Sequence, residues 1–390
     1  MLNAITNGII VSGGKVYENL ALLFDGEIKG IVNKNEIPES ARVIDAEGGY
    51  VIPGMIDLHV HGGGGADFLD GDRESIETVL KAHASHGTTS LVATTLTCKN
   101  EILFKGMSGV ADYMKSGHTG SNILGLHLEG PYFASASKGA QKIVGEQRIP
   151  TKKECDEIWD CAEGKIIRWD AAVELPNMEW FADYLKEKNV LASVGHSAAN
   201  AETVLKMYKK GFNHITHMYC STTTEHKEGQ TVHGGIIEAA YLEDGITVEL
   251  IGDGRHIPKE TMLLAFKIKG AKNIALVTDA MRAAGTDVKT SVLGPLEDGT
   301  PVIIDYDVAQ LPDKSSYAGS IATMDRVFRT ALGYGIPVTD VVTSVCETPA
   351  RLSGVLNRKG TLDAGKDADI VVFTKDLAVK NVFIGGEEAK

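Results

Sequence analysis

The sequence predicts an α/β chain: a (β/α)8 TIM barrel carrying a small β-sandwich formed by both chain termini. Three observations carry that prediction. Short β-rich runs with Gly, Asn and Asp turns fill residues 1–54 and return in 356–390. Between them, over residues 55–355, an apolar run followed by a helical stretch recurs eight times. The chain is 390 residues long, room for a barrel of about 250 residues and an appendage.

The amino-terminal runs are NGIIVSGG (7–14), LALLFDGEIKGIV (20–32) and ARVIDAEGGYVI (41–52). Apolar runs punctuated by Gly, Asn and Asp are hairpin and meander patterns, not βα units. GTLDAGKDADIVVFTKDL (360–377) and VKNVFIGGEE (379–388) repeat the pattern. Each end alone is too short for a stable domain, so the two together predict one sandwich with the barrel inserted.

The eight barrel runs are MIDLHVH (55–61), TTSLVATT (88–95), ILGLHLE (123–129), IIRWDAAVE (166–174), VLASVGH (190–196), HITH (214–217), TVELIGD (247–253) and NIALVTD (273–279). SIETVLKAHASHG (75–87) and NAETVLKMYKKG (200–211) place apolar residues at helical spacing. Gly62 to Gly65 reads as a loop after the first strand; without a following Lys-Ser/Thr it is a poor phosphate loop.

Composition narrows the function classes. A 43% hydrophobic and 23% charged content is ordinary for a globular chain. A formal charge of −13 argues against nucleic acid or an anionic membrane as partner. It does not bear on an anionic small molecule, since a site's local field can oppose the net charge. Five cysteines without CxxC spacing fit free thiols in a reducing compartment. No secretory leader pattern and no apolar run of about 20 residues is seen, so a cytoplasmic protein is expected.

In a barrel of this kind the residues ending the strands face the active-site mouth. Here they are His59 and His61, Glu129, His196, His217, Asp253 and Asp279. Chance would rarely place four of 12 histidines there. His59 and His61, two apart on a strand, share a face and suit one ion, although such a pair also serves simply to end a strand. A carboxylate at Glu129 needs a partner, either a divalent cation or a loop salt bridge. His196 and His217 close consecutive strands, and nitrogen with carboxylate ligation is the pattern of catalytic zinc. Asp279 is placed either as a proton carrier beside an ion or as a helix N-cap. His83, His86, His118, His214, His226 and His233 are expected to be structural. Cys220 has no partner placed to activate it as a nucleophile.

The motifs PGMIDLHVHGGGG and GTLDAGKDADIVVF resemble the two bookends of the amidohydrolase superfamily. Within it, HLEGPY (127–132), KGA (138–140), VGHS (194–197), DGRH (253–256), VTDA (277–280) and AGS (318–320) resemble the N-acetylglucosamine-6-phosphate deacetylase family across essentially the whole chain. The resemblance implies a divalent ion, zinc first and Fe2+ or Mn2+ next, on Glu129, His196 and His217. A second ion is implied on His59 and His61. It makes Asp279 the general acid/base and assigns substrate contacts to Ala140, His256, Ala318 and Gly319. It also implies a homodimer acting on a small amino sugar. The segment 218–228 departs from the family pattern: Cys220 and Ser221 stand where Asn-Ala is expected, and no arginine follows. Ser221, the threonine hydroxyls and Lys227 are the remaining candidates for the substrate's far end, and Lys does not replace the bidentate fork of Arg. The expected reaction is hydrolysis of an N-acetyl amide on an amino sugar, with its 6-phosphate as the first candidate. The rivals are another N-acyl or cyclic amide, and a catalytically silent barrel.

Overall fold

The computed structural model describes residues 1–117, 119–142 and 147–389, except the side chain of Glu228. His118 lies outside the described residues. Eight parallel strands form one sheet: β1 (Met55–Val60), β2 (Thr88–Thr94), β3 (Asn122–Tyr132), β4 (Ile166–Ala171), β5 (Leu191–Val194), β6 (Phe212–Ile215), β7 (Thr247–Ile251) and β8 (Ile274–Val277). Neighbours in the sheet are neighbours in sequence. The sheet closes where the backbone N–H of Asp279 donates to His59 O (3.0 Å) and that of His61 to Ala280 O (2.9 Å). All eight predicted runs are therefore barrel strands. β3 runs on through Gly130 and Pro131 to Tyr132, past the expected end at Glu129.

Such strands are covered by helices outside and by side chains inside, so they read as apolar runs. β1, β2, β7 and β8 are buried at every position. The ionisable exceptions to apolarity include Asp57 and His59 on β1, His127 and Glu129 on β3, Arg168 and Asp170 on β4, His214 on β6 and Glu249 on β7, all buried. The helix Arg73–Ser85 packs Ile76, Val79 and Leu80 inward and is N-capped by Asp72, whose side chain accepts from Ser75 N. The expected loop at Gly62–Gly65 is instead a short antiparallel ribbon, Gly62–Gly63 against Ala66–Asp67. A side chain at Gly62 would meet Ala66 O at 2.3 Å, so glycine permits the close approach.

Two further sheets draw on the chain ends. One combines strands 9–12, 15–17 and 50–53 with 370–373, 379–384 and 387–388; the other holds 3–6, 20–24, 28–33 and 42–45. They share a core of Ile5, Ile10, Leu22, Phe24, Val51, Ile370, Val372 and Phe383, in which Phe24 meets Phe383 edge-on at 4.9 Å. A three-stranded sheet over 290–310 stands beside the barrel mouth. Arg282 ties it down, donating to Gly294 O and, through both terminal nitrogens, to the Asp70 carboxylate (2.8 and 2.7 Å). Among the described residues no helix is long and apolar enough to cross a membrane.

Candidate active site and metal centre

Six side chains converge at the carboxyl ends of the strands. His59 on β1 and His61 just beyond it bring their Nε2 atoms to 3.2 Å. Glu129 on β3 places Oε1 2.9 Å from His217 Nε2 and 3.0 Å from His196 Nε2. Its Oε2 is 3.5 Å from His61 Nε2. Asp279, past β8, sets Oδ1 3.1 Å from His61 Nε2 and 3.5 Å from His59 Nε2. All six are buried. They form two three-residue groups, each with its ligand atoms within 4.8 Å of one another: His59, His61 and Asp279, and Glu129, His196 and His217.

Local backbone aims these groups. His196, His217 and Asp279 have φ of 49°, 29° and 51°, left-handed values that His and Asp tolerate better than most residues. Each turns its side chain off the strand end and into the mouth, and conformations of this cost gather at functional sites. Gly319, at φ 65°, packs under Asp279, and a Cβ there would stand 3.0 Å from Asp279 O. The N-cap alternative for Asp279 does not arise, because no helix follows it; Ala280 instead bridges Val60 and Ser320.

The donor set fits a divalent cation. His196 Nδ1 lies 2.8 Å from Ser137 O, and His217 Nδ1 lies 3.1 Å from Cys220 O. His59 Nδ1 lies 3.2 Å from a Glu249 carboxylate oxygen. Each of these acceptors takes a hydrogen bond from Nδ1, so Nε2 is the nitrogen that faces the cluster. Electrostatics agree. Burial alone would lower His61 and His217, yet the Asp279 and Glu129 carboxylates respectively raise both to about 9. Against its own burial, Glu129 is held well below the usual carboxylate range by His196 and His217. The pocket favours positive charge, and a metal ion supplies it.

The cavity above these ligands has about 180 Å3 of space. Of the predicted substrate contacts, Ala140, Cys220, Ser221, His256 and Gly319 line it. Ala318 is fully buried outside that lining, and Lys227, exposed on the strand His226–Glu228, is not among the described residues that line the cavity. His256 Nδ1 is bound to Asp253 Oδ2 at 2.8 Å, so its Nε2 is free to face a ligand. Asp253 also accepts from the backbone N–H of Arg255 and His256, so it orders the DGRH turn. Burial pushes the Cys220 thiol up, in keeping with its expected inertness.

Sequence reasoning missed Gln141, which lines the cavity with its Nε2 on Glu129 Oε2. The only signal was its place one residue after the KGA motif. It also missed Glu249, whose signal was a lone charge inside an otherwise apolar strand, and Arg168, which shares its strand with Asp170.

Comparisons with known proteins agree with this geometry. The sequence pattern of the Amidohydrolase family matches residues 50–389. An N-acetylglucosamine-6-phosphate deacetylase of Bacillus subtilis is 30% identical, the match covering 96% of this chain and 92% of the relative. An N-acetylgalactosamine-6-phosphate deacetylase of Escherichia coli O157:H7 is 27% identical, over 98% and 97%. The N-acetyl-D-glucosamine-6-phosphate deacetylase of Mycobacterium smegmatis, solved with N-acetyl-D-glucosamine-6-phosphate, superposes with a TM-score of 0.90 at 28% identity, covering 100% of this chain and 99% of that one.

Proposed function

The chain belongs to the amidohydrolase family, and on that premise we propose that it removes the acetyl group from N-acetylglucosamine 6-phosphate, releasing acetate and the free amino sugar phosphate. The observation that carries the reading is the convergence of Glu129, His196 and His217 with the Asp279 carboxylate in one cavity. A silent barrel has no need of a complete donor set.

Glu129, His196 and His217 would hold the catalytic ion, zinc before ferrous iron or manganese, and His59 and His61 with Asp279 would hold a second. An ion in this position supplies Lewis acidity toward the amide carbonyl and toward water. Asp279 accepts the proton of the attacking water and returns it to the departing nitrogen as the tetrahedral adduct collapses. His256 presents Nε2 to a sugar hydroxyl, while Ala140, Cys220, Ser221 and Gly319 shape the wall around the ring. Residues 55–355 carry this chemistry, and 1–54 with 356–390 form the supporting domain.

Among the described residues lining the cavity there is no lysine or arginine. Backbone amides, the hydroxyls of Ser221, Ser316 and Tyr317, and His256 are among the groups left to meet a phosphate. All five cysteines are free, which supports work in a reducing cytoplasm. Assembly as a homodimer rests on the family resemblance alone.

The test is acetate release from N-acetylglucosamine, its 6-phosphate and the galactosamine counterparts. The 6-phosphate of the glucosamine compound is expected to have the highest kcat/KM. Equal values with and without phosphate would remove the phosphate from the substrate.

A further inference from the structure

Beneath the two ligand groups, the barrel interior holds a hub of charge that the mechanism above does not use. Glu249, on β7, is fully buried. Its Oε2 lies 3.2 Å from His59 Nδ1 and accepts the backbone N–H of His217 at 3.3 Å. One carboxylate thus touches a ligand from each metal group. Arg168, on β4, grips both of its oxygens from below, with NH2 on Oε2 at 3.0 Å. The same NH2 donates to Thr216 Oγ1 at 2.7 Å, and Nε donates to Asp170 Oδ1 at 3.2 Å and Ser193 Oγ at 3.1 Å. Asp170 in turn lies 2.9 Å from His127 Nε2.

We propose that Glu249, braced by Arg168, is the positioning residue that fixes the His59 ring with Nδ1 protonated and Nε2 aimed at the ion of the His59–His61–Asp279 group. This rests on the reading of those side chains as metal ligands. Only an acceptor can face an N–H, so an anionic oxygen at His59 Nδ1 removes the wrong tautomer and raises the basicity of the other nitrogen. The need is greatest at His59, because its partner lacks such support: His61 Nδ1 has no hydrogen-bond partner among the described residues. Arg168 matters because a lone carboxylate this deep would be costly, whereas one held by a guanidinium fork stays charged and fixed in direction.

The test uses Glu249→Gln and Glu249→Asp. In the Gln variant Arg168 claims the amide oxygen, and the NH2 group is left facing His59 Nδ1, which reverses the tautomer. The Asp variant keeps the charge for Arg168 but withdraws it from His59 by one methylene. Zinc is titrated against a chromophoric chelator, with circular dichroism to show folding and anomalous diffraction to locate the ions. The wild-type chain is expected to take up two zinc ions. Both variants are expected to keep the ion on Glu129, His196 and His217 and to bind the other about 10–100-fold more weakly. Folded variants that hold both ions within about threefold of wild type would overturn the proposal and leave the deacetylase reading standing. A wild-type chain that takes up one zinc at saturation removes the second site and this inference with it, again without touching the first ion. Should neither variant fold, the 15N spectrum of the zinc-loaded wild type decides. A His59 proton on Nδ1 supports the proposal, and one on Nε2 overturns it.

Discussion

Thr97 determines which way round Gln141 sits. The backbone N–H of Thr97 donates to Gln141 Oε1 at 2.9 Å, with the Thr97 hydroxyl 2.8 Å from the same oxygen. The amide nitrogen is thereby turned onto Glu129 and toward His196 Nε2, 3.5 Å away. Replacing Gln141 by Leu keeps the volume and removes the donor. Loss of such an outer contact is expected to lower zinc affinity or kcat/KM about 10–100-fold. Chelator competition alongside acetate release measures both, and unchanged values for both would show the contact to be incidental.

Asp279→Asn preserves shape and removes the proton acceptor. Turnover should fall by about 10²–10⁴, while zinc at Glu129, His196 and His217 remains. The measurement is kcat together with metal content, and a variant retaining near-normal kcat would rule out the proton shuttle.

Ion removal should destabilise the fold as well as silence it, because an ion that binds only the folded chain adds its binding free energy to folding. Binding to the folded state alone contributes about 4 kcal/mol when free zinc stands a thousandfold above its dissociation constant. Calorimetry with and without chelator should show Tm several degrees lower in the stripped protein, and an unmoved Tm would argue that zinc is not bound.

Acid sensitivity should trace partly to His83. Burial lowers its pKa to about 4, with Gly62 O 3.0 Å from Nε2. An unfolded histidine titrates near 6.5. Between those values the unfolded chain binds more protons, so this contribution is complete above about 6.5 and is lost as pH falls toward 4. At about 1.4 kcal/mol per unit it amounts to roughly 3 kcal/mol. Urea midpoints at several pH values should show a flatter acid limb for His83→Gln than for wild type; parallel limbs would count against this assignment.

The barrel was legible because burial on both faces leaves apolar runs of strand length, and because a polar residue closes each run at the mouth. His59, Glu129, His196, His217 and Asp279 stood out for that reason, and they meet. The brace of Glu249 and Arg168 did not, since its pairings join β4 to β7 across the barrel and no local spacing encodes them. Nor did the positive φ of His196, His217 and Asp279, which tertiary contacts impose on residue types that tolerate it. Lys227 sits in a hairpin, His226–Glu228 with Thr231–His233, that sequence proximity to His217 did not announce.

The pairing of strand 50–53 with strand 370–373, Ile52 opposite Val371, sets a timetable for synthesis. At about 5–20 residues per second, a ribosome needs some tens of seconds to travel from one partner to the other. Throughout that interval the early strand presents an unpaired, apolar edge, open to chaperones or to aggregation. The nascent barrel is finished well before its own cradle.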